Sequence, residues 1–474
     1  MPYITQSDLI KAVIKGNAPM TPAQIVTTEI KEFKNSEVYK LMLAAEGYWR
    51  NRSDVQNKTV RVTGRSNAKI EHPALRKFIR QKVNYLLASP FSVSSVSKEY
   101  AKALEEVFDE TFRAKISGMT TDAIKWAIGY LQPYFDAGKL RWARLPATEV
   151  RLLWEDAEHE RLNGFIRFYP QTIYEGILKR EITRAEFWTT NGVQYFVSTS
   201  GDEFQNDLER PPASHFKVGD QAYNWEQIPL VWLKYNDDEL PLLHFVKELI
   251  DDVNWQKSIT ADILRDIVNF IYILRGYGGQ DLTEFMQDLQ QHFAIKVDGE
   301  GDVDKLSADL NIDAVMKFLE EQRRDLYDYA NAVDTKDPNL GTASGTALNF
   351  RYTDLDADCR DLGANLKASL QRAKVFIDLY LQATGKGSFK DQTFDVTFAV
   401  DMPVNETDTV TNCKNSTGII SQRTIVANHP WVKDPDEEIK QLKKEREEAM
   451  KQSGTEYPGD EDEDPDDDQG GEGE

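Results

Sequence analysis

The stretch "NLGTASGTALNFRY", Asn339 to Tyr352, joins two kinds of chain. Asp337-Pro338 and the run of Gly, Thr and Ser read as a loop, and from Thr346 the residues start a long helix. Small residues ahead of a helix N-terminus are a common setting for a bound phosphate. A Walker A loop, however, needs GxxxxGK followed by Ser or Thr. Here three residues separate Gly341 from Gly345, Thr346 stands where the lysine would be, and no strand leads in. The nucleotide reading fails. What remains is a backbone kept small so that something can approach it, or a linker whose small residues permit a tight turn.

Downstream, Leu348, Tyr352, Leu355, Cys359, Leu362, Leu366, Ala373 and Tyr380 recur at helical spacing. They predict one helix over 346–384, roughly 58 Å long at 1.5 Å per residue, closed by Gly385-Lys386-Gly387. Gly363 in its middle costs about 1 kcal/mol relative to Ala and is expected to mark a bend. Upstream, a 3/4 spacing through Leu242, Val246, Leu249, Val253, Gln256, Thr260, Ile263, Ile267, Phe270 and Leu274 predicts one helix over 241–274. A second, over 311–333, carries Ile312, Val315, Leu319, Gln322, Leu326, Tyr329 and Val333. Between them "RGYGG" opens an insert at 275–310, with a helix "LTEFMQDLQQHF" and then "AIKVDGEGDVDKL" as strand, Gly turn and strand. Seams this long ask for neighbouring helices. Identical subunits in a ring would supply them, and so would an intramolecular bundle.

Residues 1 to about 145 read as mostly helical, with a polar interruption at 51–67. From about 148 to 235 the pattern turns to strands: "EVRLLWE", "NGFIRFYP", "RAEFWTT", "VQYFVSTS" and "IPLVWLKY". Asn191-Gly192 is read as the turn of a hairpin between the third and fourth. "TFDVTFAVD" gives a late strand, and Asp434-Pro435 starts a final helix. The fold class is therefore α+β and predominantly helical.

The 474 residues carry a net charge of −22. Half of it lies in Ser453–Glu474, with 11 acidic residues and no Lys or Arg, a tail expected to be disordered. An acidic chain is poorly suited to tight general binding of nucleic acid, so any contact with DNA should be weak or sliding. The two cysteines, Cys359 and Cys413, are too few and too far apart for a disulfide framework or thiolate metal site. The absence of an apolar stretch of spanning length points to a soluble, intracellular protein. Six scattered histidines form no metal motif, and Asp354, Asp356, Asp358 and Asp361 spread around their helix as a solvated polar face. No catalytic residue, metal site or cofactor is expected.

The order of these elements resembles that of the portal proteins of tailed bacteriophages, most closely those of long-tailed phages of Gram-positive bacteria. "FIRQKVNYLLASPFSV" (78–93) is similar to that family's helix ending in "YLLGxP", with Ala88-Ser89 departing from its glycine. "IPLVWLKYNDDELPLLHFVKELIDDVNWQKSITADIL" (228–264) and "LGTASGTALNFRYTDLD" (340–356) resemble two further phrases. The resemblance implies a homo-oligomeric ring of about twelve subunits at one capsid vertex of the virion, assembled in the host cytoplasm. Double-stranded DNA would be packaged through it by the terminase motor and later ejected. The head–tail adaptor, capsid and scaffolding proteins would be partners, with no membrane involved.

It further implies a wing at 1–240 with a return strand at 385–403, and stem helices at 241–274 and 311–333. A clip would occupy 275–310, a tunnel loop 334–345, a tunnel helix 346–384, and a crown 404–452 ahead of the 453–474 tail. Lys336, Asn339, Leu340, Gly341, Thr342, Ser344 and Gly345 would face DNA. Tyr277, Gln280 and Phe285 would serve docking or oligomerisation. A different ring-forming head–tail or adaptor protein, and a metal-dependent DNA-processing enzyme, are the alternative readings.

Overall fold

Six amphipathic helices open the chain, most of them started by a side-chain cap. They are α1 (Gln6–Ile14), α2 (Pro22–Asn35), α3 (Glu37–Trp49), α4 (Ala74–Leu87), α5 (Lys98–Val107) and α6 (Glu110–Trp126). At α2, "TPAQ" forms a capping box: Gln24 N–H donates to Thr21 Oγ1 and Thr21 N–H to Gln24 Oε1, with Pro22 in the first turn. The computed structural model describes residues 4–59, 66–266, 271–275, 281, 283, 302–306, 312–337, 345–399, 406–432 and 435–453. Helix accounts for 51% and strand for 20%, which fits the α+β expectation.

A short strand, β1 (Ser92–Ser94), lies between α4 and α5. The stretch 1–145 is mostly helical, as read, but it ends in strands that the reading missed. After α6 ends on Ala127 in the left-handed region (φ 73°), β2 (Ile128–Asp136) and β3 (Lys139–Leu145) form a hairpin. Its turn residues, Ala137 and Gly138, both have positive φ, as a tight hairpin turn requires. The first six residues of β2 are all buried, so it shows no alternation to betray a strand.

Five further strands, β4 (Val150–Trp154), β5 (Leu162–Glu175), β6 (Leu178–Thr189), β7 (Gly192–Ser198) and β8 (Gln205–Asn206), make an antiparallel sheet in that order. The turn between β6 and β7 is Thr190-Asn191, one residue earlier than the sequence suggests, since Thr189 pairs with Gly192. β9 (Phe216–Val218) and β10 (Gln221–Tyr223) pair with each other, and β11 (Val231–Lys234) pairs with β2.

The two helices read from the 3/4 spacing are shorter than their seams suggest. α7 covers Leu242–Asp266, and Ile271–Arg275 is a strand, β12, not the end of the helix. It pairs antiparallel with β13 (Asp302–Leu306). So the "DVDKL" strand is present with the end of the first seam as its partner; the expected partner at 294–298 lies outside the described residues, as does nearly all of "LTEFMQDLQQHF". β-branched Ile271 and Ile273 suit a strand as well as a heptad. α8 (Ile312–Tyr329) stops four residues before Val333. Asn331 takes the left-handed conformation (φ 46°), with Asn331 N–H on Asp328 O and Ala332 N–H on Tyr327 O, a Schellman end. α9 then runs unbroken over Gly345–Ala383, within a residue of the predicted helix. β14 (Asp395–Thr397) returns to pair with β1.

The chain divides into two units: residues 1–335 with 352–401, and residues 336–351 with 402–474. In the first, one core joins the helices to both larger sheets. α9 buries Leu355, Cys359, Leu362, Leu366, Leu370, Ala373, Phe376, Ile377 and Leu381. Gly363 has a packing reason: a Cβ there would lie 3.3 Å from Leu86 Cδ1 of α4. In the second unit, α10 (Glu406–Asn415) buries Cys413, whose thiol donates to the carbonyls of Ile425 and Asn428 beside α11 (Gln422–Ala427). α12 covers Pro435–Ser453, as the Asp-Pro start predicts.

A row of side chains on α7 ties down Ser53, Lys58 and 68–72, around the polar interruption. Asn254 Oδ1 accepts from His72 N–H (3.0 Å) and Asn254 Nδ2 donates to Ser53 Oγ (3.2 Å). Four residues on, Ser258 Oγ accepts from Ile70 N–H (2.9 Å); four further, Asp262 accepts from Ala68 N–H (2.6 Å) and pairs with Lys58. Asn254 and Ser258 are fully buried. Asp251 of the same helix also accepts from the buried Tyr48 hydroxyl, whereas among the described residues Gln256 and Thr260 bond only within the helix.

Between α3, α6 and β3 lies a buried charge network, with Lys125 on Glu46 (3.0 Å) and Arg144 on Asp122 (3.1 Å). Burial pushes the Asp122 carboxyl up to about 6, against the pull of Arg144 and Lys125. The folded chain therefore holds this proton more tightly than the unfolded chain. The stabilisation is complete below the ordinary carboxylate range and is lost as pH rises through 6, a swing of about 3 kcal/mol. Between pH 5 and pH 7.5 the wild type should lose the remaining half of this, about 1.4 kcal/mol, read from urea midpoints, and Asp122→Asn should remove that component. An equal fall in both proteins would refute it.

Candidate channel helix and the anchoring of its loop

The chain runs from α8 to α9 through residues 330–344, and α4 holds the end of α8 and, from Tyr352 onward, α9. On α4, Lys77, Gln81, Lys82 and Tyr85 fall on one face by their spacing of four, one and three. Lys77 Nζ donates to Tyr327 OH (2.5 Å), two residues before the end of α8. Gln81 makes a two-way bond with the backbone of Val333: Nε2 donates to its carbonyl (3.0 Å) and Oε1 accepts its N–H (3.2 Å). Arg323 reaches back to Asp334 through both Nε (2.6 Å) and Nη2 (2.7 Å), a forked ion pair that fixes the first loop residue.

Lys82 joins the two sides. Its side chain is 0% exposed, and Nζ donates both to Asn331 O (3.0 Å), at the end of α8, and to Asp358 Oδ2 (2.8 Å), in α9. Asp358 Oδ1 also accepts from Tyr235 OH (3.0 Å), just past β11. Half a turn earlier, Asp356 accepts from Tyr85 OH (3.1 Å) and pairs with Arg360 (2.6 Å). Burial first, and then the neighbouring carboxylates, raise the pKa of Tyr85 and Tyr235, so both phenols stay protonated as donors. Burial also pushes the Cys359 thiol up to about 12, which makes it an unreactive core residue. The reading of Asp356 and Asp358 as a solvated face is therefore wrong. Asp354 and Asp361 are exposed as expected, but Asp356 and Asp358 receive hydrogen bonds from α4 and from Tyr235.

Among the expected DNA-facing residues, Lys336 is exposed and Gly345 is the first residue of α9. Asp337 pairs with Arg351 inside the second unit. Asn339, Leu340, Gly341, Thr342 and Ser344 lie outside the described residues, and so do Tyr277, Gln280 and Phe285 of the insert and the tail beyond Ser453. Sequence reasoning missed Gln81, Lys82 and Tyr85. The available signal was a lysine between Ile79, Val83 and Leu86 on an otherwise apolar face. Among the described residues no cluster of His, Cys, Asp and Glu could hold a metal ion, and no helix is long and apolar enough to cross a membrane.

Helices with antiparallel sheets come first, then two paired helices, and then one long helix, in the element order that the sequence resemblance rests on. Residues 30–452 match the family model described as "Phage portal protein, SPP1 Gp6-like", so the chain belongs to that family of phage portal proteins. The portal protein of Bacillus phage SPP1 is 30% identical over 398 residues, covering 82% of this chain and 78% of that one. The portal protein of Clostridium phage phiCD119 is 24% identical over 425 residues, covering 84% and 90%. A solved structure, "Neck of native GTA particle computed with C12 symmetry", is 12% identical over 76% of this chain and 90% of that chain. Its TM-score of 0.40 is too low for it to bear on function. Portal proteins are structural components of the phage virion.

Proposed function

We propose that about twelve copies of this chain close into a ring at one capsid vertex, through which double-stranded DNA is packaged and later ejected. The observation that carries this reading is the apolar surface left on the stem helices of a single chain. Phe245, Trp255, Ile263 and Leu264 on α7, and Met316 and Phe318 on α8, are exposed although the two helices pack on each other. A neighbouring subunit's stem would cover them.

In this ring, 1–240 with 385–403 is the wing, 241–274 and 311–333 the stem, 275–310 the clip and 404–452 the crown. The clip, with Tyr277, Gln280 and Phe285, docks the terminase and later the head–tail adaptor. The loop at 334–345 borders the channel. There Lys336, Asn339, Leu340, Gly341, Thr342, Ser344 and Gly345 meet a moving duplex, with Lys336 opposite phosphate. A lining with few cations lets DNA slide, whereas a fully basic one would hold it. The chain is not itself the motor and performs no catalysis.

Native mass spectrometry with negative-stain imaging of the purified protein tests the ring. Closed rings of about twelve copies with an open centre are expected. A chain that stays monomeric even with its scaffolding and capsid proteins present would overturn the proposal.

A further inference from the structure

The hairpin of β5 and β6 is longer than the sheet that supports it. The two strands stay paired from Phe165–Trp188 to Glu175–Leu178. β4 accompanies β5 only as far as Arg167, and β7 accompanies β6 only from Thr183 onward. Beyond them a two-stranded ribbon projects, in which no residue from Pro170 through Glu181 is buried. Such a ribbon is marginal by itself in water. Its tip nevertheless carries Tyr174, Ile177 and Leu178 exposed, Ile177 at 99%. Single exposed apolar residues are ordinary, but three within five residues at the end of an arm form a patch that seeks cover.

Elsewhere on the same unit is a cavity of about 310 Å³ with the matching chemistry. Ile228, Leu230, Trp232 and Phe376 form an apolar floor, all buried in the single chain. Arg372 of α9 lines it, with its guanidinium 4.4 Å from the centre of the Trp232 ring. No hydrogen bond or ion pair to Arg372 occurs among the described residues, and Glu160 acts on it only at a distance. Glu160, Arg161 and Glu226 also line the cavity, but none pairs with Arg372. A half-buried guanidinium stacked on an indole without an ion pair is a site for a further carboxylate. The arm tip offers Glu175 two residues from Ile177. Its present partner is Arg180 at 3.2 Å, a pair more than half exposed on both sides and so held weakly.

We propose that the tip of this arm docks in the Arg372 cavity of a neighbouring copy of the chain, with Ile177 and Leu178 on the apolar floor and Glu175 on Arg372. The contact joins two different patches of one surface, which is the head-to-tail kind that closes into rings. The proposal rests on the ring reading and adds to it a specific joint between wings.

The test pairs Ile177→Cys with Gln227→Cys, an exposed residue at the cavity rim; the natural Cys359 and Cys413 are buried. Rings verified by native mass spectrometry are oxidised and run on a non-reducing gel. The double variant should give a ladder of cross-linked species reaching the ring's copy number, and neither single variant should. A second variant, Ile177→Asp with Leu178→Asp, changes only exposed residues and should lower the fraction of closed rings about tenfold. Intact rings with no cross-link, or undiminished closure of the aspartate variant, would overturn the docking while leaving the ring standing. Absence of rings in the wild type would overturn both.

Discussion

Replacing Lys82 by methionine is expected to destabilise the folded chain by about 3–5 kcal/mol, read as a lowered urea midpoint. Methionine fills the same space but leaves the Asp358 carboxylate with only Tyr235 and the Asn331 carbonyl without its donor. Removing one member of a buried pair is costly because the other remains charged. Adding Asp358→Leu should recover part of the loss, since an apolar replacement of both partners can be close to neutral. A single variant as stable as the wild type would show that water reaches this site and that Lys82 is dispensable. The functional consequence belongs to the proposed channel. With Lys82 gone, the end of α8 and the fourth turn of α9 lose the side chain that bonds to both, and they are held to α4 by Lys77 on Tyr327, Gln81 on Val333 and Tyr85 on Asp356.

Gly129→Ala is the second large effect, expected at about 3 kcal/mol. An added Cβ would sit 2.2 Å from the carbonyl oxygen of Met119. The oxygen is backbone and the Cβ is fixed rigidly to the β2 backbone, so α6 and β2 must separate. Gly129 pairs with Leu233 of β11, two residues before Tyr235, so the displacement reaches the phenol that holds Asp358. Gly363→Ala is the useful contrast, because its Cβ meets side-chain atoms, Leu86 at 3.3 Å and Phe398 at 3.7 Å, and the helix gains about 1 kcal/mol in propensity. Equal melting curves for the two variants would refute the steric account.

Legibility followed the period of burial. α9 could be bounded to within a residue because one face repeats at helical spacing over its whole length and loop chemistry flanks it. β2 was hidden because six consecutive buried residues carry no alternation. The arm beyond Tyr169 was hidden for the opposite reason, since residues exposed on both faces alternate in nothing. β12 continued a heptad by coincidence, and only its pairing with β13 separates strand from helix. The anchoring of the loop was the least readable part. Lys82 meets partners 249 and 276 residues away, and nothing local distinguishes Asp358 from Asp354 or Asp361. The DNA-facing and docking residues were reached through family resemblance and remain proposals.

The row of Asn254, Ser258 and Asp262 on α7 distributes evolutionary freedom unevenly. It holds the segment before α4 mostly by that segment's main-chain N–H groups, at Ala68, Ile70 and His72. Every residue but proline supplies the same donor, so the side chains at those three places can drift with little effect on the joint. The helix has no such latitude, because each acceptor there is a particular side chain one turn from the next. Related chains should therefore differ freely along the tethered stretch while their tethering helix keeps a polar residue at every fourth place.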